Sequence, residues 1–248
     1  MADELWLSIE RWQSMKSWAL IKKSYKEIYQ NIFSILLISM FWFFGAGVFL
    51  ITTPLWIQAN YYIPIILAFF LIGPITAASF YVSNRIVNYE EFRIRDLFIG
   101  IKKYLIKSSV ITWLIILLYI IVGVNFYFYL KVDNTFFRLL APLFIYLAIF
   151  LSVIVLYIFP LMMELDKLGK ARIRDIFGYA FVFTVKNILF TLLIFFNILV
   201  FGTINIVITF GLPTLFMGGV ALMANNATLN LLVKQGVIEE VNGPYDFS

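Results

Sequence analysis

A short charged string occurs twice in this sequence, and its side chains are the first candidates for binding chemistry. Residues 93–98 read Arg-Ile-Arg-Asp-Leu-Phe, and residues 172–177 read Arg-Ile-Arg-Asp-Ile-Phe, at an offset of 79 positions. In both copies a lysine, Lys107 or Lys186, follows the aspartate by eleven residues and directly precedes a long apolar stretch. The pattern predicts an internal repeat in which a short helix comes before each apolar segment.

Two interpretations of these strings are open. In the first, each aspartate caps a helix by accepting hydrogen bonds from its first free amides, while the arginines bind phosphates or pair with nearby acids. In the second, the two short helices form a charged docking surface for a cytoplasmic or membrane partner. The residues that would contact such a partner are Arg93, Arg95, Asp96, Lys102, Lys103, Arg172, Arg174 and Asp175.

Residue types that carry much of enzyme chemistry are missing from the sequence. It contains no cysteine and no histidine, which removes thiolate nucleophiles, thiolate metal sites and the commonest general base. A His-Glu metal motif, a Gly-x-Ser-x-Gly elbow and a Walker A loop are also missing. We therefore expect no catalytic residue, no metal site and no cofactor, and any ATP hydrolysis would belong to a partner.

The composition defines the class of protein that must position these charges. Of 248 residues, 62% are hydrophobic, 19% are aromatic and only 13% are charged. A water-soluble domain of this size has too little interior to bury so much apolar surface, and a disordered chain is poor in aromatic residues. The sequence therefore predicts an integral membrane protein in contact with the lipid bilayer. The formal charge of +5 is typical of membrane topology and does not indicate nucleic-acid binding.

Stretches without acidic or basic residues predict the membrane spans. Two of the four longest stretches have room for two helices each, since one crossing takes about 20 apolar residues. We expect chain breaks from Thr52 through Pro54 to Asn60, and from Phe210 to Pro213. The predicted fold is all-α and polytopic, with six transmembrane helices in three hairpins and short interfacial helices on the cytoplasmic side. The predicted spans are 31–53, 62–84, 108–130, 138–162, 187–209 and 213–233.

The distribution of basic residues predicts the orientation of these spans. Seventeen of the 19 lysines and arginines lie in the N-terminal segment, at 85–107, at 164–186 or at the C-terminal end, so we expect both termini to be cytoplasmic. The N-terminal segment lacks the apolar core of a signal peptide, and its amphipathic pattern favours a helix on the inner membrane surface. A cytoplasmic helix packed on the bundle is the alternative. The expected divisions are 1–30 for this helix, 31–234 for the membrane domain and 235–248 for a cytoplasmic tail.

Amides and hydroxyls are the polar groups left inside the predicted spans, which contain no charged residue. This lack of charge argues against a proton-driven transporter. The sixth span is rich in polar residues, which predicts either a buried span or a helix lying against the bundle. Asparagines of the fifth and sixth spans would either hydrogen-bond between helices or line a cavity for a sugar-like ligand. The candidates for that cavity are Asn197, Asn205, Asn226 and Asn230.

Two prolines predict local irregularities in the spans. Gly73 and Pro74 predict a kink in the second span, and the Thr76 hydroxyl would satisfy a carbonyl freed by the proline. The small residues that follow permit close helix packing. Pro160 marks the corresponding place in the fourth span.

The end of the second span also matches a pattern known from one family. Residues 73–78 read Gly-Pro-Ile-Thr-Ala-Ala, and an acidic loop and a basic, aromatic short helix follow. With Phe159-Pro160-Leu161 and the basic loop after it, this segment resembles the YesL-type family of bacterial membrane proteins of unknown function. The resemblance is specific over residues 73–107. The tryptophan-bearing N-terminus and the sharp second Arg-Ile-Arg-Asp copy depart from the family pattern.

The resemblance implies a protein of the bacterial plasma membrane. Proteins of this family are often encoded beside sugar or oligosaccharide importers of the ATP-binding-cassette type, which implies an accessory role in carbohydrate uptake. An importer permease or ATPase would then be the partner. The family supplies no catalytic residue.

Two functional hypotheses follow. The first is a non-enzymatic accessory or scaffold subunit of a bacterial membrane complex, with the link to carbohydrate import resting on the resemblance. The second is a self-contained channel or facilitator for a small neutral solute. A continuous polar cavity lined by Asn226 and Asn230 would favour the second hypothesis, whereas a tightly packed bundle would favour the first.

Overall fold

A computed structural model describes residues 17–132, 135–208 and 210–238 of the chain. These residues form helices joined by short turns, with no strand among them. Six of the helices are long and apolar enough to cross a bilayer, so the predicted all-α polytopic membrane fold is confirmed. The longer helices are α1 (Ser17–Gln30), α2 (Ile32–Gln58), α3 (Ile63–Val87), α4 (Arg95–Lys131), α5 (Ala141–Lys167), α6 (Ile173–Lys186), α7 (Ile188–Val207) and α8 (Leu212–Lys234). A single helical turn, Thr135–Arg138, lies between α4 and α5.

The first chain break lies later than predicted, because α2 continues through Pro54 and ends at Gln58. Proline removes one backbone hydrogen bond from a helix. The hydroxyls of Thr52 and Thr53 donate to carbonyls one turn earlier, at 2.7 and 2.8 Å, so polar groups next to the proline are satisfied within the helix. The chain turns instead at Asn60, whose left-handed φ of 55° is one that asparagine tolerates well.

The third span also differs from its prediction. We expected a short helix after Asp96 and a separate span from 108 to 130, but α4 is a single helix of 37 residues. At 1.5 Å per residue it is about 55 Å long, well beyond the roughly 30 Å of hydrocarbon, so its first turns extend past the apolar layer. In the second copy of the repeat the two helices are separate, as predicted, because the chain breaks at Asn187.

The break at Asn187 has a counterpart at Asn31, between α1 and α2. Both residues leave the helical region, with φ and ψ of −127° and 42° at Asn187 and of −110° and 29° at Asn31. In both, the side-chain amide donates to the carbonyl four residues earlier, at 3.3 and 3.0 Å. Asparagine side chains compete with the backbone in this way and weaken helices. Ser108 occupies the equivalent position of α4, which stays continuous.

Three helices form the centre of the bundle and three surround them. The inner helices α3, α5 and α8 contact one another. The outer helix α2 lies against α3 and α8, α4 lies against α3 and α5, and α7 lies against α5 and α8. In the apolar, membrane-spanning part of α8, 83% of the residues are buried, compared with 22% in that part of α4. Of the two alternatives for the sixth span, the structure therefore has the buried span, where polar side chains can find partners in neighbouring helices.

Most of the basic residues near the helix ends lie at one end of the bundle, where α3, α5 and α8 end and α4 and α7 begin; this is termed the basic end. Lys131 and Arg138 lie at the other end, between α4 and α5. The helix α1 lies at the basic end and buries Leu20, Ile21 and Ile28 in the bundle, while Trp18 and Tyr29 stay exposed. The described half of the predicted N-terminal helix is thus packed on the bundle. Residues 1–16 and 239–248, with the remaining parts of the predicted N-terminal helix and C-terminal tail, lie outside the described residues.

Candidate functional site

A buried cluster of polar side chains joins the three inner helices near the basic end. The side-chain amide of Asn84 on α3 donates to Glu164 Oε1 on α5 and to Asn225 Oδ1 on α8, at 2.5 and 3.3 Å. Asn225 donates in turn to the carbonyl of Phe80 on α3, at 3.2 Å. Asn84, Glu164 and Asn225 are at most 5% exposed and are termed the central triad. Each inner helix therefore contributes one side chain to the same network.

The Glu164 carboxylate is the charged member of the central triad. Its Oε1 also accepts from Asn88 at 3.4 Å and from the ammonium of Lys167, one turn later on α5, at 3.0 Å. A buried carboxylate is tolerated only when it is paired and hydrogen-bonded. The amides of two asparagines and one ammonium meet that requirement here. Because these oxygen contacts bridge α3 and α5, the arrangement is suited to holding helices together.

A second buried cluster joins α1 to α8. The side-chain amide of Asn226 donates to Glu27 Oε2 at 2.6 Å and to the Ser24 hydroxyl at 3.1 Å. Glu27 Oε1 lies 3.6 Å from Lys23 Nζ and has no hydrogen-bond partner among the described residues. Burial raises the pKa of Glu27, against the opposing effects of the Lys23 charge and the Asn226 amide. Burial lowers the pKa of Lys23, and the Glu27 carboxylate opposes that change.

The four candidate cavity asparagines have different surroundings. Asn226 is bonded to α1, as described above, and Asn230 is buried on α8. Asn205 is buried on α7 and donates its amide to the carbonyl of Phe201 in the same helix, at 2.8 Å. Asn197 is half-buried on that helix. None of the four asparagines lines the grooves that contain Ile115, Lys102 or Leu37.

Most of the predicted partner-contact residues are exposed at the basic end. Asp175 is half-buried in the first turn of α6. Lys103 is exposed but donates to Asp166 Oδ2 at 2.9 Å, and Lys107 lies 3.3 Å from Asp166 Oδ1, so both lysines link α4 to α5. The exposed cations of this set, termed the basic platform, are Arg93, Arg95, Lys102, Lys103, Arg172 and Arg174.

Asp96 differs from the rest of that set because its side chain is buried. Its Oδ2 accepts from the guanidinium of Arg85 at 2.7 Å and from the backbone N–H of Arg93 at 2.9 Å. The helix α4 begins at Arg95, so Asp96 lies inside the first turn and is not the N-cap that the first interpretation of the string predicts. The carboxylate reaches back three residues, as the acidic residue of a capping box does. Asp96 therefore stabilises the turn between α3 and α4.

The glycine of the Gly-Pro pair lies where α3 and α4 approach most closely. A Cβ atom at Gly73 would lie 2.8 Å from both the carbonyl oxygen of Ser108 and the hydroxyl of Thr112. Further along the same helix pair, a Cβ at Gly100 would lie 3.0 Å from the Cα of Ala78. Small side chains at both crossings let the two backbones come together.

The threonine of the same segment has a role other than the predicted one. The Thr76 hydroxyl oxygen accepts the indole N–H of Trp42 at 3.0 Å, which ties α2 to α3, rather than serving the carbonyl freed by Pro74. Pro74 lies inside α3 and Pro160 lies inside α5, and both are buried. The described helices run on through both prolines.

The fold and these clusters define an all-α, polytopic membrane protein whose buried polar groups connect its inner helices. Comparison with protein-family models, with curated proteins and with solved structures finds no match.

Proposed function

We propose that this chain is a non-catalytic accessory or scaffold subunit of a bacterial membrane complex. The observation that carries the proposal is the contrast between the interior and the basic end. Inside, Asn84, Asn225 and Asn226 use their amides to bond other parts of the same chain. At the basic end, Arg95 and Arg174 are exposed in the first turns of α4 and α6. Arginine forks of this kind suit carboxylates of a protein partner.

The same contrast weighs against a self-contained facilitator. A neutral solute would need free amides and hydroxyls facing a continuous passage. Asn226, the best candidate in the sequence for such a group, donates to Glu27 and Ser24, and its helix α8 is the most enclosed of the six. We therefore favour the accessory role, and passage of a neutral solute is the alternative that the experiment below can detect.

The resemblance to the YesL-type family suggests what the partner is. We propose a permease or ATPase of an ATP-binding-cassette importer for oligosaccharides, in the bacterial plasma membrane. In this arrangement both termini and the basic platform lie on the cytoplasmic side, because 17 of the 19 basic residues belong to segments on one side of the predicted spans. The basic platform would then contact the ATPase of the importer on the cytoplasmic side.

The test is purification of the tagged chain from its native membranes in a mild detergent, with mass spectrometry of the proteins that co-purify. We expect a permease or ATPase in stoichiometric amount. Recovery of the chain alone, under conditions that keep other membrane complexes intact, together with flux of a neutral sugar into liposomes containing it, would overturn the proposal in favour of a facilitator.

A further inference from the structure

A groove at the basic end combines positive charge with an apolar floor. It lies between α4 and the segment that leads into α6, and its volume is about 640 Å³. The cations that line it are Lys102, Lys103, Lys107 and Arg172. A groove that combines cations with exposed apolar side chains has the chemistry of a phospholipid site.

The ion pairs of the groove leave two of its four cations available. Asp166 lies within 2.9 Å of Lys103 and 3.3 Å of Lys107 and so balances part of their charge. Lys102 and Arg172 are exposed, and neither has an ion pair with an acidic side chain among the described residues. The two come from different sides of the groove, α4 and the residue before α6, so an anion between them would be held from both sides.

Apolar side chains continue from this charge along α4. Ile106 and Val110 follow Lys102 at intervals of four residues, which places all three on one face of the helix. Both line the groove, and Ile106 is 77% exposed. The stripe from Lys102 to Val110 extends about 12 Å along the helix axis, enough for the upper part of an acyl chain.

We propose that this groove binds an anionic phospholipid of the membrane in which the protein resides. The phosphate lies between Lys102 and Arg172, and an acyl chain lies along Ile106 and Val110. Charge complementarity selects an anionic lipid over a zwitterionic one, and the apolar stripe selects a lipid over a free phosphate or an acidic peptide. Lys102, Lys103 and Arg172 belong both to the basic platform and to the groove, whereas Arg95 and Arg174 do not line the groove, so substitutions at Arg95 and Arg174 test partner contact separately from lipid binding.

The experiment uses the full chain in detergent, with phosphatidylglycerol and phosphatidylcholine of identical acyl chains as probes. Native mass spectrometry counts retained lipids, and thermal unfolding reports the shift in Tm that each lipid causes. We expect phosphatidylglycerol to be retained and to raise Tm more than phosphatidylcholine. The double variant Lys102→Ala/Arg172→Ala should bind phosphatidylglycerol roughly 30-fold more weakly, whereas Lys170→Ala/Lys186→Ala, which removes two exposed charges outside the groove, should bind as the wild type does.

Salt provides a second readout that needs no variant. Raising the ionic strength from 0.05 to 0.5 M should weaken retention of phosphatidylglycerol by the wild-type chain and leave that of phosphatidylcholine unchanged. Equal retention of the two lipids, or unchanged binding by Lys102→Ala/Arg172→Ala, would overturn the proposal. Stabilisation by inorganic phosphate or by polyglutamate to the same extent as by phosphatidylglycerol would also overturn it, and would indicate a free anion or a protein segment as the occupant.

Discussion

Asn84 and Glu164 are 80 positions apart in the sequence, yet the amide of one donates to the carboxylate of the other between two inner helices. Asn225 joins them from the third inner helix. Asn84 and Glu164 lie in the last turns of α3 and α5, at the basic end of the bundle. We therefore expect the buried network of the inner helices to hold in place the helix ends that carry the basic platform.

Replacing Asn84 by alanine should destabilise the protein more than an ordinary asparagine substitution. The change removes one amide from the buried Glu164 carboxylate, and we expect the free energy of unfolding to fall by about 1–3 kcal/mol. Unfolding in mixed detergent micelles measures it. Asn125→Ala is the matched control, because the Asn125 amide donates only within its own helix, to the carbonyl of Ile121. Equal losses for the two variants would contradict a structural role for the central triad.

A double-mutant cycle separates this contact from general effects of cavity formation. In a Glu164→Ala background the Asn84→Ala substitution should cost less than it does alone, since the carboxylate that needs the amide is gone. Additive losses, within about 0.5 kcal/mol, would show that the two side chains do not stabilise each other.

The packing of α1 should depend on pH through Glu27. Its folded-state pKa is raised above the ordinary value of 4.5, so its contribution to stability is full below 4.5 and is lost as the pH rises through the folded-state pKa. The lowered pKa of Lys23 acts in the opposite sense, with stability present above its ordinary 10.5 and lost as the pH falls. Hydrogen exchange of the α1 amides, corrected for intrinsic rates, should show protection decreasing from pH 4.5 upward.

A neutral substitution isolates the Glu27 effect. Glu27→Gln should flatten the pH dependence of α1 protection on the acid side, because no carboxylate remains to ionise there. Glu91→Gln is the control, since the Glu91 side chain is 86% exposed and should leave the dependence unchanged. If Glu27→Gln keeps the wild-type slope, another group sets the pH response of α1.

Gly73→Ala should destabilise the contact between α3 and α4. The added Cβ would lie 2.8 Å from a backbone oxygen of α4, which can move only if the helices separate, and we expect a loss of about 1–3 kcal/mol in unfolding free energy. Gly123→Ala is the matched control on α4, where a Cβ would meet nothing within 4 Å and should gain up to about 1 kcal/mol from helix propensity. A Gly73→Ala variant as stable as the wild type would show that the crossing is loose.

The number of spans could be predicted from the sequence because a membrane crossing needs a long uncharged run, and four such runs, two of them long enough for two crossings, hold six helices. The ends of the spans were harder to predict. Pro54 signals a break by its chemistry, but α2 continues through it to Gln58, and the threonine hydroxyls before it donate to carbonyls one turn earlier. Asn31 and Asn187 do mark breaks, while the serine at position 108 does not.

The central triad could not be predicted in the same way. Because a charged residue usually marks the end of a span, the sequence predicts that Glu164 lies outside the membrane helix. In the structure α5 continues to Lys167, and the Glu164 side chain is buried. Partner choice among buried asparagines depends on how helices are rotated, which composition does not determine. The repeat offset of 79 pairs Asn84 with Met163 and Glu164 with Arg85, so the internal repeat does not point to the triad.

Recovery of a membrane partner by charge-reversed variants tests the proposed accessory role most directly. Arg95→Glu/Arg174→Glu changes two exposed residues of the basic platform, and Lys22→Glu/Lys170→Glu changes the net charge equally at exposed positions elsewhere on the basic end. Each variant is purified from native membranes, and its Tm confirms that it is folded. We predict that the first variant recovers the permease or ATPase at least roughly tenfold less than the wild type, and that the second recovers it fully. Equal recovery by both variants would contradict the account.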